Sequence, residues 1–378
     1  MRTAVVHDYF TQVGGAEKVA EELFCMLPDS SLYATVMLSN CMPPQLEKVV
    51  VNTSWMQRLP NIDKFYRFYF LLYPFAVSSI DLSKYDLVVS SSSSYAKGVK
   101  TGRDSIHVCY CHTPMRWAWN YDEYARRDSF GSLQRFVLPP LIRCLKNWDR
   151  EASRQPDHFV ANSRLVAGRI LKAYNRTAEV IHPPIDVTRF RISSKREGYY
   201  ITLARLVSYK RIDLAVRTCT ERRKKLIVIG DGPDRQRLEK LAGPSVTFVG
   251  RASDREVEKY VAGCNALLFP GEEDFGMAPL EVAAAGKPTI AFGAGGALET
   301  IRDGVTGLFF HQQTTDHLAN AIDLSEKWEW QPSMLRRHAE EFDIPVFRDR
   351  FNSFLKRIGA VSNDAVVISK PTARAATA

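Results

Sequence analysis

Two glutamates eight residues apart, Glu273 and Glu281, are the pair of side chains in the sequence that is best suited to ligand binding or catalysis. They lie in the segment 271–288, which reads G-E-E-D-F-G-M-A-P-L-E-V-A-A-A-G-K-P and is flanked by two apolar runs typical of buried strands. The run 277–285 predicts a helix, with Gly286 at its C-terminal cap. A helix N-terminus favours a phosphate group, and a carboxylate can accept hydrogen bonds from two hydroxyls. The pair therefore predicts a ligand that carries both phosphates and hydroxyls; the alternative is two solvated surface acids.

A cationic pair, Arg205 and Lys210, follows the predicted strand 199–203. Two cations held in such a loop can neutralise a diphosphate and stabilise it as it departs. A basic surface loop is the simpler alternative. Glycine turns follow the next two predicted strands, at 230–233 and at Gly250-Arg251. The first is chiefly a strand-to-helix turn, whereas the backbone of the second can read the edge of a nucleobase.

The first half of the chain supplies a glycine pair and a histidine. Gly14 and Gly15 close the loop between a predicted strand and a helix, as in the opening of a nucleotide-binding βα unit, although the pattern G-x-G-x-x-G is absent. His112 follows Cys109-Tyr-Cys111 and is expected to hydrogen-bond a sugar. The alternatives are a capped loop histidine and a metal ligand. Structural zinc needs four ligands, and the scattered remaining cysteines do not provide them, so no metal site is predicted.

The segment 55–75 combines Arg58, Lys64 and Arg67 with seven phenylalanine or tyrosine residues. Its composition predicts an aromatic helix over 63–73. One interpretation is an amphipathic face that contacts an anionic membrane or a lipid-linked acceptor. The other is a helix half-buried in the first domain. Stacking on nucleic-acid bases is a third interpretation, but no pattern of a known nucleic-acid module accompanies it, so no nucleic-acid partner is expected.

Length and composition predict a two-domain protein. The chain has 378 residues, and its net charge of +9 is compatible with nucleic acid, an anionic membrane or a phosphorylated substrate. Its seven cysteines have no disulfide-like spacing, which indicates a reducing compartment. Met1 leads almost directly into a predicted strand, so no signal peptide is expected, and no apolar run approaches the roughly 20 residues of a membrane span. The expected location is cytoplasmic, with peripheral contact at the inner face of the plasma membrane.

Taken together, these motifs resemble one enzyme family. Glu273-x7-Glu281, Arg205 with Lys210, the turn at 230–233 and Gly14-Gly15 are similar to the motifs of retaining glycosyltransferases of family 4. The stretches V-H-D-Y-F-T-Q-V-G-G-A-E-K-V, Y-D-L-V-V-S-S-S-S-Y-A-K-G-V and H-V-C-Y-C-H-T-P-M-R-W-A-W resemble its WbaZ-like branch, whose members are mostly bacterial mannosyltransferases of surface-polysaccharide assembly.

The resemblance implies a GT-B fold, in which two Rossmann-like, doubly wound α/β domains face each other across a cleft. Strand–helix alternation that restarts near Tyr199 agrees with two such domains. The expected division, in residue numbers, is an N-terminal acceptor domain 1–185, a linker 186–198, a nucleotide-sugar domain 199–342, a C-terminal helix 343–360 that crosses back to the first domain, and a flexible tail 361–378.

The resemblance also implies a role for each site residue. Glu273 would contact the hydroxyls of the donor sugar, and Glu281 the ribose. Glu273 would be assisted by the backbone of Phe275, Gly276, Met277 and Ala278. The diphosphate would be held by Arg205, Lys210 and the backbone of Gly14-Gly15. The base would be contacted by Gly250 and Arg251, and the sugar would be approached by His112. The family needs no metal, and no Asp-x-Asp motif is present.

The implied reaction is transfer of a hexose, with retention of anomeric configuration, from a nucleotide sugar to a hydroxyl of a saccharide. GDP-mannose is the expected donor and a polyprenyl-diphosphate-linked saccharide the expected acceptor. A UDP-sugar donor, and a sugar phosphorylase or epimerase on the same fold, are alternatives. A non-catalytic, basic membrane- or nucleic-acid-binding protein is an alternative of another class.

Overall fold

The computed structural model describes residues 1–120 and 132–361, and the chain divides into two compact units. The first comprises Met1–Ile181 together with the residues from Arg348 onward, and the second comprises His182–Phe347. These divisions lie a few residues from the domain limits expected at 185 and 343. The tail expected over 361–378 lies, apart from Val361, outside the described residues.

The first unit is built on a parallel sheet. Its strands are β1 (Thr3–His7), β2 (Ser31–Ala34), β3 (Val51–Thr53), β4 (Asp81–Leu82), β5 (Leu87–Ser92), β6 (Lys100–Thr101), β7 (Ile106–Cys111), β8 (His158–Ala161) and β9 (Glu179–Val180). In the described part of the unit, seven strands pair in the order β3-β2-β1-β5-β7-β8-β9, and β4 pairs separately with β6. The order reverses between β1 and β5, so the loops that follow these two strands meet at the carboxyl edge of the sheet, where such folds bind ligands.

The strands at the centre of this sheet, β1, β5 and β7, are almost entirely buried, as expected for parallel strands covered by helices on both faces. Those helices are α1 (Gly15–Met26), α2 (Ile62–Phe65), α3 (Tyr73–Ser78), α4 (Arg116–Trp119), α5 (Ser132–Ala152) and α6 (Arg164–Tyr174). Helix α6 begins at a side-chain cap, because the Ser163 hydroxyl accepts a hydrogen bond from the Val166 N–H at 3.1 Å.

The helix predicted over 63–73 is wrong. The segment forms the four-residue α2 and a series of turns before α3 begins at Tyr73. Pro74 explains the new start, because proline is accommodated in the first turn of a helix but not in its interior. The aromatic segment is therefore a folded surface loop with two short helices rather than one amphipathic helix.

The second unit contains another parallel sheet. Its strands are β10 (Tyr199–Leu203), β11 (Lys225–Ile229), β12 (Val246–Gly250), β13 (Leu267–Phe269), β14 (Thr289–Phe292) and β15 (Gly307–Phe310). They pair in the order β12-β11-β10-β13-β14-β15, which is the Rossmann order, third-second-first-fourth-fifth-sixth along the chain. The reversal lies between β10 and β13. Two Rossmann-like parallel sheets confirm the predicted fold class at the level of the single domains.

The helices of the second unit alternate with these strands. They are α7 (Ile212–Glu221), α8 (Arg235–Leu241), α9 (Asp254–Gly263), α10 (Met277–Ala284), α11 (Ala297–Thr300), α12 (Thr315–Lys327), α13 (Pro332–Glu340) and α14 (Ile344–Arg357). The residues of α14 from Arg348 belong to the first unit, where Arg348 pairs with Glu22 and Arg357 with Glu179. No helix in the described ranges combines the length and the apolar character required to span a bilayer.

Candidate functional site

The carboxyl edge of the second sheet brings Lys210 and Glu273 into contact. Lys210 ends the turn Ser208–Lys210 after β10, and Glu273 lies in the loop after β13, so the two flank the reversal of strand order. The Lys210 Nζ and Glu273 Oε1 atoms are 2.9 Å apart, and the side chains are only 16% and 18% exposed. A half-buried pair of opposite charge can bind both a phosphate oxygen and sugar hydroxyls.

Glycines allow the backbones of the surrounding loops to touch. A Cβ atom at Gly271 would lie 2.6 Å from the Lys210 Cα, and one at Gly296 would lie 2.2 Å from the Phe275 Cα. The Gly296 N–H also donates a hydrogen bond of 2.8 Å to the Glu273 carbonyl oxygen. The loop Gly293-Ala-Gly-Gly296 was not predicted from the sequence, although its closely spaced glycines after an apolar run were an available signal.

The start of α10 has no side-chain cap. Gly276 precedes the helix with a φ of 88°, a left-handed conformation that glycine adopts without strain, and no side chain caps the first turn. The N–H groups of Met277 and Ala278 lack intrahelical partners by the geometry of any helix start. Glu281 is the fifth residue of α10 and is half-buried. The helix start thus offers backbone donors, and Glu281 lies one turn further along.

Phe275 is buried in the core of the second unit rather than exposed to a ligand. Its ring stacks on His182 with a centroid separation of 5.3 Å, and the His182 Nε2 lies 3.0 Å from Glu299 Oε2. Only the backbone of Phe275 can therefore contact a donor, as the resemblance implies. The pair of His182 and Glu299, which the sequence analysis did not single out, fixes the position of this ring.

The remaining site residues of the second unit lie in the loops after β10, β11 and β12. Arg205 is exposed, two residues beyond the end of β10. The Gly230 N–H donates to the Gly250 carbonyl oxygen at 2.7 Å, which joins the second and third of these loops. Gly250 has a φ of 73°, and Arg251 is exposed beside it. The structure thus places all of them on the carboxyl edge of one sheet.

In the first unit, His112 follows β7 at the carboxyl edge. Its side chain is buried, and its Nε2 atom lies 2.8 Å from the Ser91 hydroxyl. Burial lowers the pKa of His112 to about 3, with a further contribution from the neighbouring His7. His112 is therefore uncharged at neutral pH, and it is suited to hydrogen bonding rather than to charge pairing.

The Gly14-Gly15 pair opens α1. The Gly14 N–H donates to the Glu17 carboxylate at 3.0 Å, in the manner of a capping box. Gly15 is the first residue of α1 and is exposed. The backbone donor that the sequence analysis assigned to Gly14 is thus engaged within the loop, whereas Gly15 presents the start of the helix.

Asp8 organises the neighbouring serine-rich loop, and the sequence analysis missed it. The Asp8 side chain is 1% exposed, and its two oxygens accept hydrogen bonds of 2.6–2.9 Å from four consecutive backbone N–H groups. The donors are Ser93, Ser94, Tyr95 and Ala96. Successive N–H groups of this kind form an anion-binding nest. Here the carboxylate of the protein itself fills the nest, which fixes the loop after β5 against the loop after β1.

Cys109 and Cys111 lie in the apolar core around β7. Across residues 1–120 and 132–361, no group of three or more histidine, cysteine or acidic side chains is placed to hold a metal ion. Cys109 and Cys111 belong to the buried strand β7, and His112 follows its last residue.

The segment 55–75 presents an aromatic–basic surface, which we define as Trp55, Arg58, Lys64, Phe65, Arg67, Phe68 and Phe75, all exposed. Phe68 and Phe75 are 76% and 69% exposed. By contrast, Met56, Ile62 and Tyr73 of the same segment are buried in the core. The segment therefore contributes some side chains to the core and presents others to solvent, and its contact with a membrane or a lipid-linked acceptor stays a prediction.

Comparison with known proteins identifies the family. Residues 13–189 match the family described as Glycosyltransferase Family 4, and residues 186–342 match Glycosyl transferases group 1. The chain belongs to glycosyltransferase family 4. Alpha-1,3/1,6-mannosyltransferase ALG2 of Mus musculus is 25% identical over 296 residues, which are 66% of this chain and 67% of that protein.

A second relative of this family 4 chain is the GDP-mannose-dependent alpha-(1-6)-phosphatidylinositol monomannoside mannosyltransferase of Mycobacterium tuberculosis. It is 29% identical over 192 residues, which are 42% of this chain and half of the relative's length. Among solved structures, Anabaena Alr3699/HepE in complex with UDP aligns with a TM-score of 0.70 at 17% identity, over 94% of this chain and 100% of that one. Sucrose-phosphate synthase from Thermosynechococcus elongatus aligns with a TM-score of 0.67 at 15% identity, over 95% and 100%. These likenesses confirm the GT-B fold class.

Proposed function

We propose that this family 4 glycosyltransferase transfers mannose from GDP-mannose to a hydroxyl of a saccharide, with retention of anomeric configuration and without a metal ion. The observation that carries the proposal is the contact between Lys210 and Glu273 beside the uncapped start of α10. One cation, one carboxylate and free helix N–H groups together suit a sugar joined to a diphosphate. The names of the two relatives, both mannosyltransferases, support the choice of sugar.

In the proposed reaction the bond between the anomeric carbon and the diphosphate oxygen breaks, and its electron pair leaves with the diphosphate. The positive charges of Arg205 and Lys210 stabilise the negative charge that develops there. The acceptor oxygen bonds to the anomeric carbon on the face that the diphosphate leaves. The acceptor proton passes to the departing phosphate oxygen, so no protein nucleophile and no added base are required.

The other residues bind and orient the donor. Glu273, assisted by the backbone of 275–278, binds the sugar hydroxyls, and Glu281 binds the ribose. The backbone of Gly250-Arg251 contacts the base. For the first unit, the resemblance implies that Gly15 would contact the diphosphate and His112 the sugar. These roles are the ones that the family resemblance implies, applied to the residues of the loops described above.

The proposed acceptor is a saccharide linked to polyprenyl diphosphate at the cytoplasmic face of the membrane, in the assembly of a bacterial surface polysaccharide. The aromatic–basic surface supports this choice, because exposed phenylalanines can enter the lipid interface while Lys64 and Arg67 pair with anionic headgroups. Binding of this surface to the membrane would keep the enzyme close to a lipid-linked acceptor.

The test is transfer from radiolabelled GDP-mannose, with UDP-glucose and UDP-galactose in parallel, to a membrane lipid fraction, in the presence of EDTA. We expect a new α-mannoside from GDP-mannose alone. Hydrolysis or isomerisation of the donor without a new glycoside would contradict transfer. A glycoside formed only from a UDP-sugar would change the donor, and loss of turnover in EDTA would contradict metal independence.

Variants at the cationic pair test the proposed mechanism. Arg205→Ala and Lys210→Ala should each lower kcat by roughly 10²–10³-fold, because each removes a group that stabilises the departing diphosphate. The matched control is Lys224→Ala, which breaks the surface pair between Lys224 Nζ and Glu326 Oε1, 2.6 Å apart, and should leave turnover unchanged. Normal turnover by the Arg205 or Lys210 variant would exclude these residues from the reaction.

A further inference from the structure

A line of buried polar side chains runs along the carboxyl edge of the first sheet and ends at His112. His7 ends β1, Ser91 lies beside it in β5, and Glu17 belongs to the first turn of α1. The His112 Nε2 is 2.8 Å from the Ser91 Oγ, and the Ser91 Oγ is 3.0 Å from the His7 Nδ1. The His7 Nε2 faces Glu17 Oε1 at 3.9 Å, an electrostatic contact rather than a hydrogen bond.

These groups are isolated from solvent. His7, Glu17 and Ser91 are at most 2% exposed, and His112 is 8% exposed. The rings of Phe10 and Tyr110 also pack against the histidines, with centroids 4.8 Å from His7 and 5.3 Å from His112 respectively. The adjacent Asp8 carboxylate is engaged by the backbone nest at 93–96. Among the residues that the structure describes, Glu17 supplies the carboxylate within ion-pair range of His7.

The charge of Glu17 sets the direction of the hydrogen bonds. A neutral His7 places its single proton on Nε2, towards the carboxylate, so its Nδ1 accepts a hydrogen bond from the Ser91 hydroxyl. Ser91 has one proton, so its oxygen then accepts from His112 Nε2–H. The opposite direction would turn the lone pair of His7 Nε2 towards a carboxylate, which is unfavourable at low dielectric. His112 is left with its lone pair on Nδ1.

We infer that Glu17, His7 and Ser91 are positioning residues that hold His112 in the Nε2–H tautomer, so that its Nδ1 accepts a hydrogen bond from a hydroxyl of the transferred sugar. Within the described residues, the Nδ1 atom of His112 has no hydrogen-bond partner. The inference rests on the proposed function for the identity of the ligand, but the tautomer itself is a property of the protein alone.

The first measurement is the tautomer, read by NMR from two-bond nitrogen–proton correlations of the ¹⁵N-histidine-labelled full chain without donor, with His112→Gln to assign the signal. We expect His112 as Nε2–H in the wild type. Glu17→Gln and Ser91→Ala should shift it towards Nδ1–H, whereas Ser91→Thr, which keeps the hydroxyl, should retain the wild-type pattern. An Nδ1–H form in the wild type, or an unchanged tautomer in both disrupting variants, would overturn the inference.

The second measurement is steady-state transfer. Ser91→Ala should lower kcat about tenfold, the effect of one lost hydrogen bond, with little change in donor KM, and Ser91→Thr should restore it. The matched control is Ser90→Ala, since the Ser90 hydroxyl also bonds a buried histidine, His107 at 2.8 Å, but lies outside this line. An equal loss in Ser90→Ala would show a merely structural effect. If the wild type transfers no sugar while its tautomer is as expected, the proposed function fails and the positioning role stands.

Discussion

At the scale of single residues, buried histidines give the first unit a defined response to acid. His107 is completely buried in β7, and its Nε2 atom lies 2.8 Å from the Ser90 hydroxyl. Burial lowers the pKa of His107 to about 4, against the opposing effect of Asp157. The pKa of His112 is lowered in the same way, to about 3. The folded protein therefore keeps both rings neutral at a pH where the unfolded chain protonates them.

This difference predicts that the free energy of unfolding falls as the pH is lowered from about 6.5 towards 4. Above pH 6.5 both states hold the rings neutral; below it the unfolded state binds the protons first, so acid favours unfolding. In His107→Gln, the loss in free energy of unfolding between pH 6.5 and pH 4, measured from urea-unfolding curves, should be smaller than in the wild type by about 3 kcal/mol. Measurements at pH 7.5 give the baseline for its change in packing. An unchanged slope between pH 6.5 and 4 would contradict the assignment.

At the scale of secondary-structure elements, a buried ion pair joins the turn after β5 to the long helix α5. The Lys97 Nζ lies 2.5 Å from Asp149 Oδ1, and both side chains are at most 1% exposed. The second oxygen of Asp149 accepts hydrogen bonds of 2.7 Å from the indole of Trp119 and the hydroxyl of Tyr174. Burial acts to lower the pKa of Lys97, but the charge and hydrogen bond of Asp149 leave it raised. One carboxylate thus anchors elements from four parts of the unit.

Lys97→Met should lower the free energy of unfolding by about 3–5 kcal/mol, because it leaves the Asp149 charge buried without its partner. The double variant Lys97→Met/Asp149→Leu should recover part of that loss, since no uncompensated charge remains. Urea unfolding followed by circular dichroism measures both, and Lys224→Ala, at a surface pair, is the control. If the double variant loses more free energy of unfolding than Lys97→Met and Asp149→Leu lose together as single variants, the ion pair is not the main source of the stability lost in Lys97→Met.

The sequence predicted those elements whose signals are local. Strand β10 occupies the predicted range 199–203, and the two apolar runs that flank the segment 271–288 form β13 and β14, because each is a short apolar run that ends at a loop or a glycine. The helix over 63–73 was wrong because its aromatic residues divide between core and surface without helical spacing, and Pro74 starts a new helix. Element type was thus predictable where periodicity or a cap determined it.

The candidate site was predictable only in part, for a different reason. Lys210 and Glu273 could be singled out by residue type, but their contact depends on the strand order, which sets β10 beside β13. Asp8 and the Gly293–Gly296 loop act through contacts with the backbone of distant loops. Such contacts leave no periodic signal in the sequence, so tertiary structure was needed to find them.

At the scale of the whole molecule, the net charge of +9 and the aromatic–basic surface together favour binding to an anionic membrane. The rings of Phe65 and Phe68 lie 6.0 Å apart between centroids, with Lys64 and Arg67 exposed beside them. A positively charged protein is attracted to anionic lipid over a distance of about one Debye length, and exposed phenylalanines then add apolar burial at the interface. Neither contribution alone gives a stable attachment, but the two act on the same surface.

The protein should therefore co-sediment with vesicles of phosphatidylglycerol and phosphatidylcholine, more weakly as salt is raised, and little with phosphatidylcholine alone. Phe68→Ser and Phe75→Ser should each weaken binding about tenfold, because each removes most of a phenylalanine's apolar area from the lipid interface. Leu171→Ser is the matched control, since Leu171 is a 53% exposed apolar side chain of the same unit outside this surface. If the phenylalanine variants bind the vesicles as well as the wild type does, the attraction is due to charge alone. If neither the variants nor the wild type binds the vesicles, the proposed membrane contact is wrong, and the enzyme must meet its acceptor in solution.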